Sequence, residues 1–186
     1  MTGRAFSLYA LAAMAVLSAV LLSGAAKNDD VRGYSSGKNV WLLGAKQGSV
    51  SLAGFTKLDS GTPGLTAYSD VTRTIQFEGE DMEVTAVLVF KAKRLAAVVI
   101  SVADADKPFA SLRKYYAARL SGRTLLEDEA GYCTWSDEQD DALALIDLGE
   151  DYMHATDVIY VRGAALEAPA GGKMPDWLAR ITKALG

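Results

Sequence analysis

The sequence predicts an α+β fold in which helices pack on one face of an antiparallel β-sheet, as a tandem α-β-β-β repeat with a C-terminal amphipathic helix. Two apolar runs, residues 83–90 and 95–102, are joined by a short charged turn, which is typical of a β-hairpin. A helical pattern follows directly over residues 104–122, and three more strand-like runs come after it. Helix and strands therefore recur with a period of about 60 residues.

Residues 1–26 have the organisation of a secretory signal peptide. Arg4 precedes an apolar run over residues 5–22, and small residues follow it. Cleavage after Ala25 or Ala26 fits this pattern. The alternative is an uncleaved anchor, since about 20 apolar residues suffice to span a bilayer. We therefore expect a periplasmic or secreted protein, or one held at the membrane through this N-terminal segment alone.

The first repeat is assigned to residues 49–103, after a flexible segment over 27–48 that contains an edge strand at 40–43. A short amphipathic helix is predicted over 49–58, and a threonine-rich strand over 66–78. The side chains expected on one side of that strand are those of Val71, Ile75 and Phe77.

The hairpin that closes the first repeat is apolar on both of its faces. Leu88 and Ile100 lie on one face by the two-residue period of a strand, and Val87 and Val99 lie on the other. A hairpin with one solvated face would alternate apolar with polar residues. The pattern therefore predicts a central hairpin that is covered on both sides.

The helix after the hairpin begins near Pro108, because Asp104 or Asp106 can cap its N-terminus and proline suits its first turn. It ends before Gly122. Its apolar stripe consists of Phe109, Leu112, Tyr116 and Leu120. The basic residues of its other face are interpreted as a solvated surface.

The second repeat, residues 104–163, contains three predicted strands. They cover residues 132–136, 142–148 and 156–162. A linker over 164–173 leads to the amphipathic helix at 174–186, which Pro175 opens. The apolar residues of this last helix are Trp177, Leu178, Ile181 and Leu185. Such a terminal helix usually covers an exposed sheet face.

Composition limits the classes of partner and cofactor. Half of the residues are hydrophobic and 23% are charged, which excludes general disorder. The formal net charge is -4 and no long basic run occurs, so nucleic acid is not an expected partner. Cys133 and His154 are the only residues of their types, so neither a disulfide nor an ordinary His/Cys metal site can form within the chain. No cofactor is predicted.

Two short strings match catalytic motifs in unsuitable contexts. Residues 33–37 match G-x-S-x-G, whose serine must follow a strand and precede a helix in a large α/β sheet, whereas here the string lies near the mature N-terminus. Residues 111–114 match S-x-x-K without the K-T-G partner. Both are interpreted as chance matches, and no catalytic residue is assigned.

Two further arrangements are candidate chemical sites. Cys133 and His154 could form a nucleophile and base pair only if the fold brought them together with a third orienting group. Cys133 lies in an apolar strand, so buried packing is the preferred interpretation. The acidic turns at 137–141 and 150–151 lack the spacing of a calcium loop and are interpreted as solvated hairpin ends.

The order of elements resembles that of small envelope proteins built from α-β-β-β units. These are the outer-membrane assembly lipoproteins of the SmpA/OmlA type and the tandem-repeat β-lactamase-inhibitor proteins. The residues that carry the resemblance are Leu43, Gly44, Ser49, Phe90, Arg94, Leu95, Val98, the run 119–122, Trp135 and the strand 143–148. The chain departs from the first family because it has no lipid-attachment cysteine. Members of both groups act by binding other proteins, and the resemblance implies such a role here.

Two functional classes follow. The first is a non-catalytic protein that binds another envelope protein through exposed aromatic residues. The candidates for that surface are Tyr132, Trp135, Tyr160 and Trp177. The second is a small-ligand-binding protein or hydrolase with a cleft between the two repeats, lined by the first three of these aromatics. A deep concave site with convergent polar groups would favour the second class.

Overall fold

An eight-stranded antiparallel sheet dominates the protein, whose computed structural model describes residues 31–59, 63–77, 80–103, 108–137, 141–153 and 155–163. The strands are β1 (Gly33–Ser36), β2 (Asn39–Leu42), β3 (Thr56–Leu58), β4 (Leu65–Phe77), β5 (Glu80–Lys91), β6 (Arg94–Val102), β7 (Thr124–Glu129), β8 (Tyr132–Ser136), β9 (Ala142–Asp147) and β10 (Thr156–Val161). The helix α1 covers Pro108–Arg119, and single 3-10 turns cover Gln47–Ser49 and Glu150–Tyr152.

The large sheet consists of two four-stranded meanders that meet at its centre. Its strand order is β3-β4-β5-β6-β10-β9-β8-β7. The last strand of each meander forms the junction, where β6 pairs with β10 from Val102 opposite Thr156 to Ala97 opposite Val161. The two halves therefore share one continuous sheet, and strands β1 and β2 form a separate hairpin.

The predicted α+β class with a tandem α-β-β-β repeat is wrong. Of the described residues, 58% lie in strands, and these residues contain one α-helix. Residues 49–58 do not form the predicted helix but end in β3. Gly54 lies in this stretch with a φ of 85°, which the right-handed helix does not accommodate. Each half contains four strands in place of the predicted three.

The prediction of a central, doubly covered hairpin is confirmed. Strands β5 and β6 are third and fourth in the sheet. Leu88 and Ile100 are fully buried on one face, and Val89 and Ala97 are fully buried on the other. The turn between the strands places Ala92 and Lys93 at φ values of 49° and 61°, as a tight two-residue hairpin turn of this hand requires.

The other elements agree with the sequence to different degrees. Strands β2, β4, β8, β9 and β10 and the helix α1 occur where strands and a helix were predicted, whereas β1, β3 and β7 were not predicted. Val71 does not share a face with Ile75 and Phe77. It is 71% exposed, because the pairing of β4 with β5 is irregular between Asp70 and Arg73.

One face of the sheet, here called the aromatic face, is covered by the β1–β2 hairpin and by α1. Residues 33–42 form this hairpin within the segment at 27–48. The Tyr34 hydroxyl donates to the Gln76 carbonyl oxygen at 2.7 Å and accepts from the Gln76 amide at 2.9 Å, which ties the hairpin to the end of β4. The helix buries Leu112, Tyr115 and Tyr116 against the same face.

The opposite face, here called the aliphatic face, has a second buried cluster. Its fully buried or nearly buried members are small and medium apolar residues of the central strands. They include Ala67, Val89, Ala97, Val99, Ala144, Ile146, Ile159 and Val161. The sheet is thus buried on both sides.

The described residues include no helix that is long and apolar enough to cross a membrane. Several sequence predictions fall outside these residues. They are the signal segment at 1–26, the linker at 164–173, the helix at 174–186 and His154.

Candidate functional site

A groove of about 470 Å³ runs between the helix α1 and the edge strand β7. We call it the α1–β7 groove. The helix, the turn after it and strands β7 and β8 all contribute to its walls. The lining residues are Phe109, Ala110, Arg113, Lys114, Ala117, Leu120, Ser121, Arg123, Leu125, Asp128 and Trp135.

The local sequence places the groove beside the edge of the sheet. After α1, a tight turn forms in which the Arg123 amide donates to the Leu120 carbonyl oxygen at 2.8 Å, and β7 begins at the next residue. Leu125 pairs with Trp135 of β8, so both side chains belong to the face on which α1 lies. The pairing is irregular between Leu125 and Glu127. Leu126 lies at this irregularity and is 47% exposed.

The groove combines an apolar floor with a cationic wall. Leu120 and Trp135 are buried beneath it, while Lys114 is exposed on the helix side. Arg113 donates to the Asp128 carboxylate at 2.5 Å across the groove, and this hydrogen bond raises the pKa of the guanidinium. Lys114 lies beside this ion pair and is exposed, so we expect it to attract an anionic side chain at the groove.

Strand β7 is the last strand of the sheet on this side. Among the described residues no strand pairs with its outer edge. The opposite edge strand, β3, has only three residues. An open strand edge presents unpaired backbone donors and acceptors that can pair with another chain. Leu125 and Leu126, which are 48% and 47% exposed, add an apolar surface to the open edge of β7.

The four aromatic residues proposed from the sequence do not form one surface. Trp135 is only 4% exposed but lines the α1–β7 groove. Tyr160 is fully buried, and its hydroxyl is 2.7 Å from the hydroxyl of Tyr116. Tyr132 is 3% exposed and belongs to the aliphatic face, and Trp177 lies outside the described residues.

The predicted cleft between two repeats is not formed by these aromatics. Tyr132 and Trp135 are three residues apart in β8 and therefore point to opposite faces of the sheet. Tyr160 belongs to the aromatic face together with Trp135. The described halves are joined strand to strand, so the three rings cannot line one pocket.

The catalytic strings also lack the geometry that catalysis requires. Ser35 lies in β1 opposite Val40 of β2, and the chain continues into a hairpin turn rather than a helix, so no nucleophile elbow forms. Ser111 and Lys114 are both exposed on α1. Lys114 contributes to the groove, but as a surface cation.

Cys133 is unsuited to nucleophilic chemistry. It is fully buried, and burial together with the nearby Asp128 carboxylate raises the pKa of its thiol to about 12. A thiol with this pKa stays protonated at neutral pH and is a poor nucleophile. In the parts of the chain that are described, no group of three or more His, Cys, Asp or Glu residues could hold a metal ion.

An acidic pair, Asp137 and Asp141, lies away from the groove and connects distant parts of the chain. The Asp137 carboxylate accepts from Arg32 Nε at 2.9 Å and from the Asp141 amide at 3.1 Å. Asp141 in turn accepts from the Gly163 amide at 3.2 Å. Burial and the neighbouring Asp137 carboxylate raise the pKa of Asp141. These contacts join the start and the end of the described domain to the β8–β9 connection, which is a structural role.

A wider and shallower depression of about 950 Å³ lies at the turn between β5 and β6. Lys46, Lys93 and Arg94 are exposed at its rim. It has no strand edge or buried aromatic residue beside it among its lining residues. The α1–β7 groove is therefore the better-formed candidate.

No protein family, curated protein or solved structure matches this chain. The sequence pattern did not predict strand β7, so it did not reveal Leu125 and Asp128 of the groove or Leu126 at the strand edge. The two adjacent leucines after Gly122 were the available signal for it.

Proposed function

We propose that the protein is an exported, non-catalytic protein that binds an extended segment of another envelope protein in the α1–β7 groove. The observation that carries this proposal is the open edge of β7 directly beside an apolar groove. A strand edge supplies backbone pairing, and a groove next to it supplies side-chain pockets. The two features together match the requirements of strand addition.

In this mode the bound segment becomes a ninth strand of the sheet, outside β7. Its backbone pairs with the outer edge of β7, and its alternate side chains point toward the groove. β7 has six residues, which allows a bound strand of about 20 Å at roughly 3.3 Å per residue. Such an interface is small, so we expect a weak or transient complex.

The walls of the groove specify the chemistry of the segment. Large apolar side chains fit against Leu120, Leu125 and Trp135. An acidic side chain fits beside Lys114, where opposite charge increases the rate of encounter. We therefore expect a segment whose groove-facing side chains, at every second position, include leucine, isoleucine or an aromatic residue together with aspartate or glutamate.

A random 12-residue peptide library displayed on phage tests this proposal without a known partner. We expect selection of segments in which apolar and acidic residues recur together at every second position. A selected peptide should lose affinity when Lys114→Glu reverses the charge of the wall or when Leu126→Asp adds charge at the edge. Binding of the peptide to the unchanged protein should also weaken as salt is added.

Two matched controls separate the groove from general surface effects. Lys57→Glu reverses an exposed lysine on the opposite edge strand β3, and Val71→Asp adds charge at an exposed site on β4. Both variants should bind the peptide normally. Equal loss in the variants and in their controls would contradict the proposal. A measured turnover that disappears on changing Ser35, Ser111 or Cys133 would instead support an enzyme.

A further inference from the structure

The turn between β5 and β6 concentrates positive charge at one corner of the sheet. Lys46, Lys93 and Arg94 line the shallow depression beside this turn, and none of its lining residues is acidic. Lys91 is the last residue of β5 and is exposed, as the other three are. No described carboxylate lies within ion-pair distance of these four residues. We call them the cationic corner.

Backbone pairing holds the basic groups of the corner side by side. The chain after β2 runs along the start of β6, where the Gln47 amide donates to the Lys93 carbonyl oxygen at 2.9 Å. Lys46 is thereby placed opposite Arg94. Arg94 Nη1 also donates to the Gly44 carbonyl oxygen at 3.0 Å, which positions the guanidinium. Like charges directly opposite each other destabilise such a pair, and an external anion would offset this repulsion.

The β5–β6 hairpin also separates charge along its length. Glu80, Asp81 and Glu83 are exposed at the beginning of β5, whereas Lys91 and the basic turn stand at its end. The twelve residues of β5 span about 40 Å at about 3.3 Å per residue, which is several Debye lengths at physiological ionic strength. An anionic surface therefore attracts the corner without contacting the acidic end of the hairpin.

We propose that the cationic corner docks the protein on an anionic lipid bilayer. Charge complementarity selects an anionic partner, since clusters of lysine and arginine are attracted to anionic lipid headgroups. Ala92, exposed at the tip of the turn, and the half-buried Leu52 supply small apolar contacts for the headgroup region.

The shape of the corner favours a surface over the other anionic partners. A small anion is held by a concave site that buries it, whereas this depression is shallow and its cations are all exposed. A peptide cannot add as a strand between Gln47 and Lys93, because their backbones already pair with each other. No aromatic residue lines the depression, so it lacks the stacking platform that single-stranded nucleic acid requires.

Vesicle flotation tests this docking with the full chain. One set of vesicles contains phosphatidylcholine alone, and the other contains phosphatidylglycerol as well. The measured quantity is the ratio of binding to the two sets, because the apolar run at residues 5–22 is common to all variants. We expect this ratio to fall by at least about fivefold in Lys46→Glu and in Lys93→Glu, the factor that one basic residue contributes near an anionic surface.

Lys38→Glu is the matched control at the other end of the sheet. Lys38 is exposed in the turn between β1 and β2, where Asn39 Nδ2 donates to the Thr74 carbonyl oxygen near the end of β4. Its ratio should equal that of the unchanged protein. An equal loss in Lys38→Glu and Lys46→Glu would overturn the inference, and so would equal binding of the unchanged protein to both sets of vesicles. Thermal melting verifies that each variant is folded, and Lys93→Glu decides alone if Lys46→Glu is not.

A second measurement tests the orientation of the protein and the source of the anion. A dye on Ser49→Cys, which lies in the depression, should be quenched by brominated lipid more strongly than a dye on Lys38→Cys, while Cys133 is buried and stays unlabelled. Equal quenching of the two dyes would contradict docking through the corner. Inorganic phosphate should release the protein from the vesicles no better than chloride at equal ionic strength. Selective release by phosphate would indicate a site for a free anion and would overturn the inference.

Discussion

Truncation of Leu88 to alanine should destabilise the protein strongly. Leu88 is fully buried in β5, between Tyr68 of β4 and Val98 of β6. The change removes three carbon atoms, which is worth about 2.4 kcal/mol at about 0.8 kcal/mol each. The strands around the site are held by backbone pairing and cannot close the cavity, so we expect a total of about 3 to 5 kcal/mol.

Urea denaturation and thermal melting would measure this loss. For a chain of this size the melting temperature should fall by about 6 to 20 °C, at about 2 to 4 °C per kcal/mol. The slope of the denaturant transition should stay unchanged. Val71→Ala is the matched control at an exposed site and should stay within about 0.5 kcal/mol. A loss below about 1 kcal/mol for Leu88→Ala would refute the central position of the hairpin.

Three other outcomes are expected. Burial raises the pKa of Asp157. Its carboxyl therefore stabilises the fold fully below an unfolded pKa near 3.8, and this contribution is lost as the pH rises through the folded pKa. Asp157→Asn should raise the unfolding free energy at pH 7, and urea melts should show that this gain shrinks toward pH 4. Lys93→Gly should raise the unfolding free energy by about 0.5 to 1 kcal/mol, because relief of the left-handed φ of 61° exceeds the extra entropy that glycine loses on folding, and an unchanged urea midpoint would contradict this. N-terminal sequencing of exported protein should start at Ala26 or Lys27, whereas an intact Met1 in the membrane fraction would indicate an anchor.

The sequence predicted the core hairpin because local and tertiary requirements agree there. Both faces of β5 and β6 are apolar, which is the pattern expected of central strands in a sheet that is buried on both sides. The helix α1 was also predictable, since Pro108 and the stripe through Leu112, Tyr116 and Leu120 fit both local geometry and burial.

The fold class was not predictable because several polar segments form strands through tertiary contacts. β7 contains three acidic residues after two leucines, and β3 contains a lysine between a threonine and a leucine. Both are edge strands, whose outer sides need no apolar pattern. The false helix at 49–58 came from apolar spacing in a stretch where Gly54 turns the chain.

The candidate site was only partly visible in the sequence for the same reason. Trp135 was selected as an aromatic contact residue, and it lines the groove although it is nearly buried. Lys114 was interpreted as a solvated cation on the outer face of α1. Its placement beside Leu125 depends on β7, which the sequence pattern did not reveal.

Amide hydrogen exchange of β7 with a selected peptide bound is the most direct test of polypeptide binding by strand addition. The measurement follows individual backbone amides of Thr124–Glu129 by NMR with and without the peptide. Strand addition predicts slower exchange of the outward amides of β7, no change in the amides of β3, and loss of the effect in the Lys114→Glu variant. Peptide binding that leaves the exchange of β7 unchanged would contradict the account.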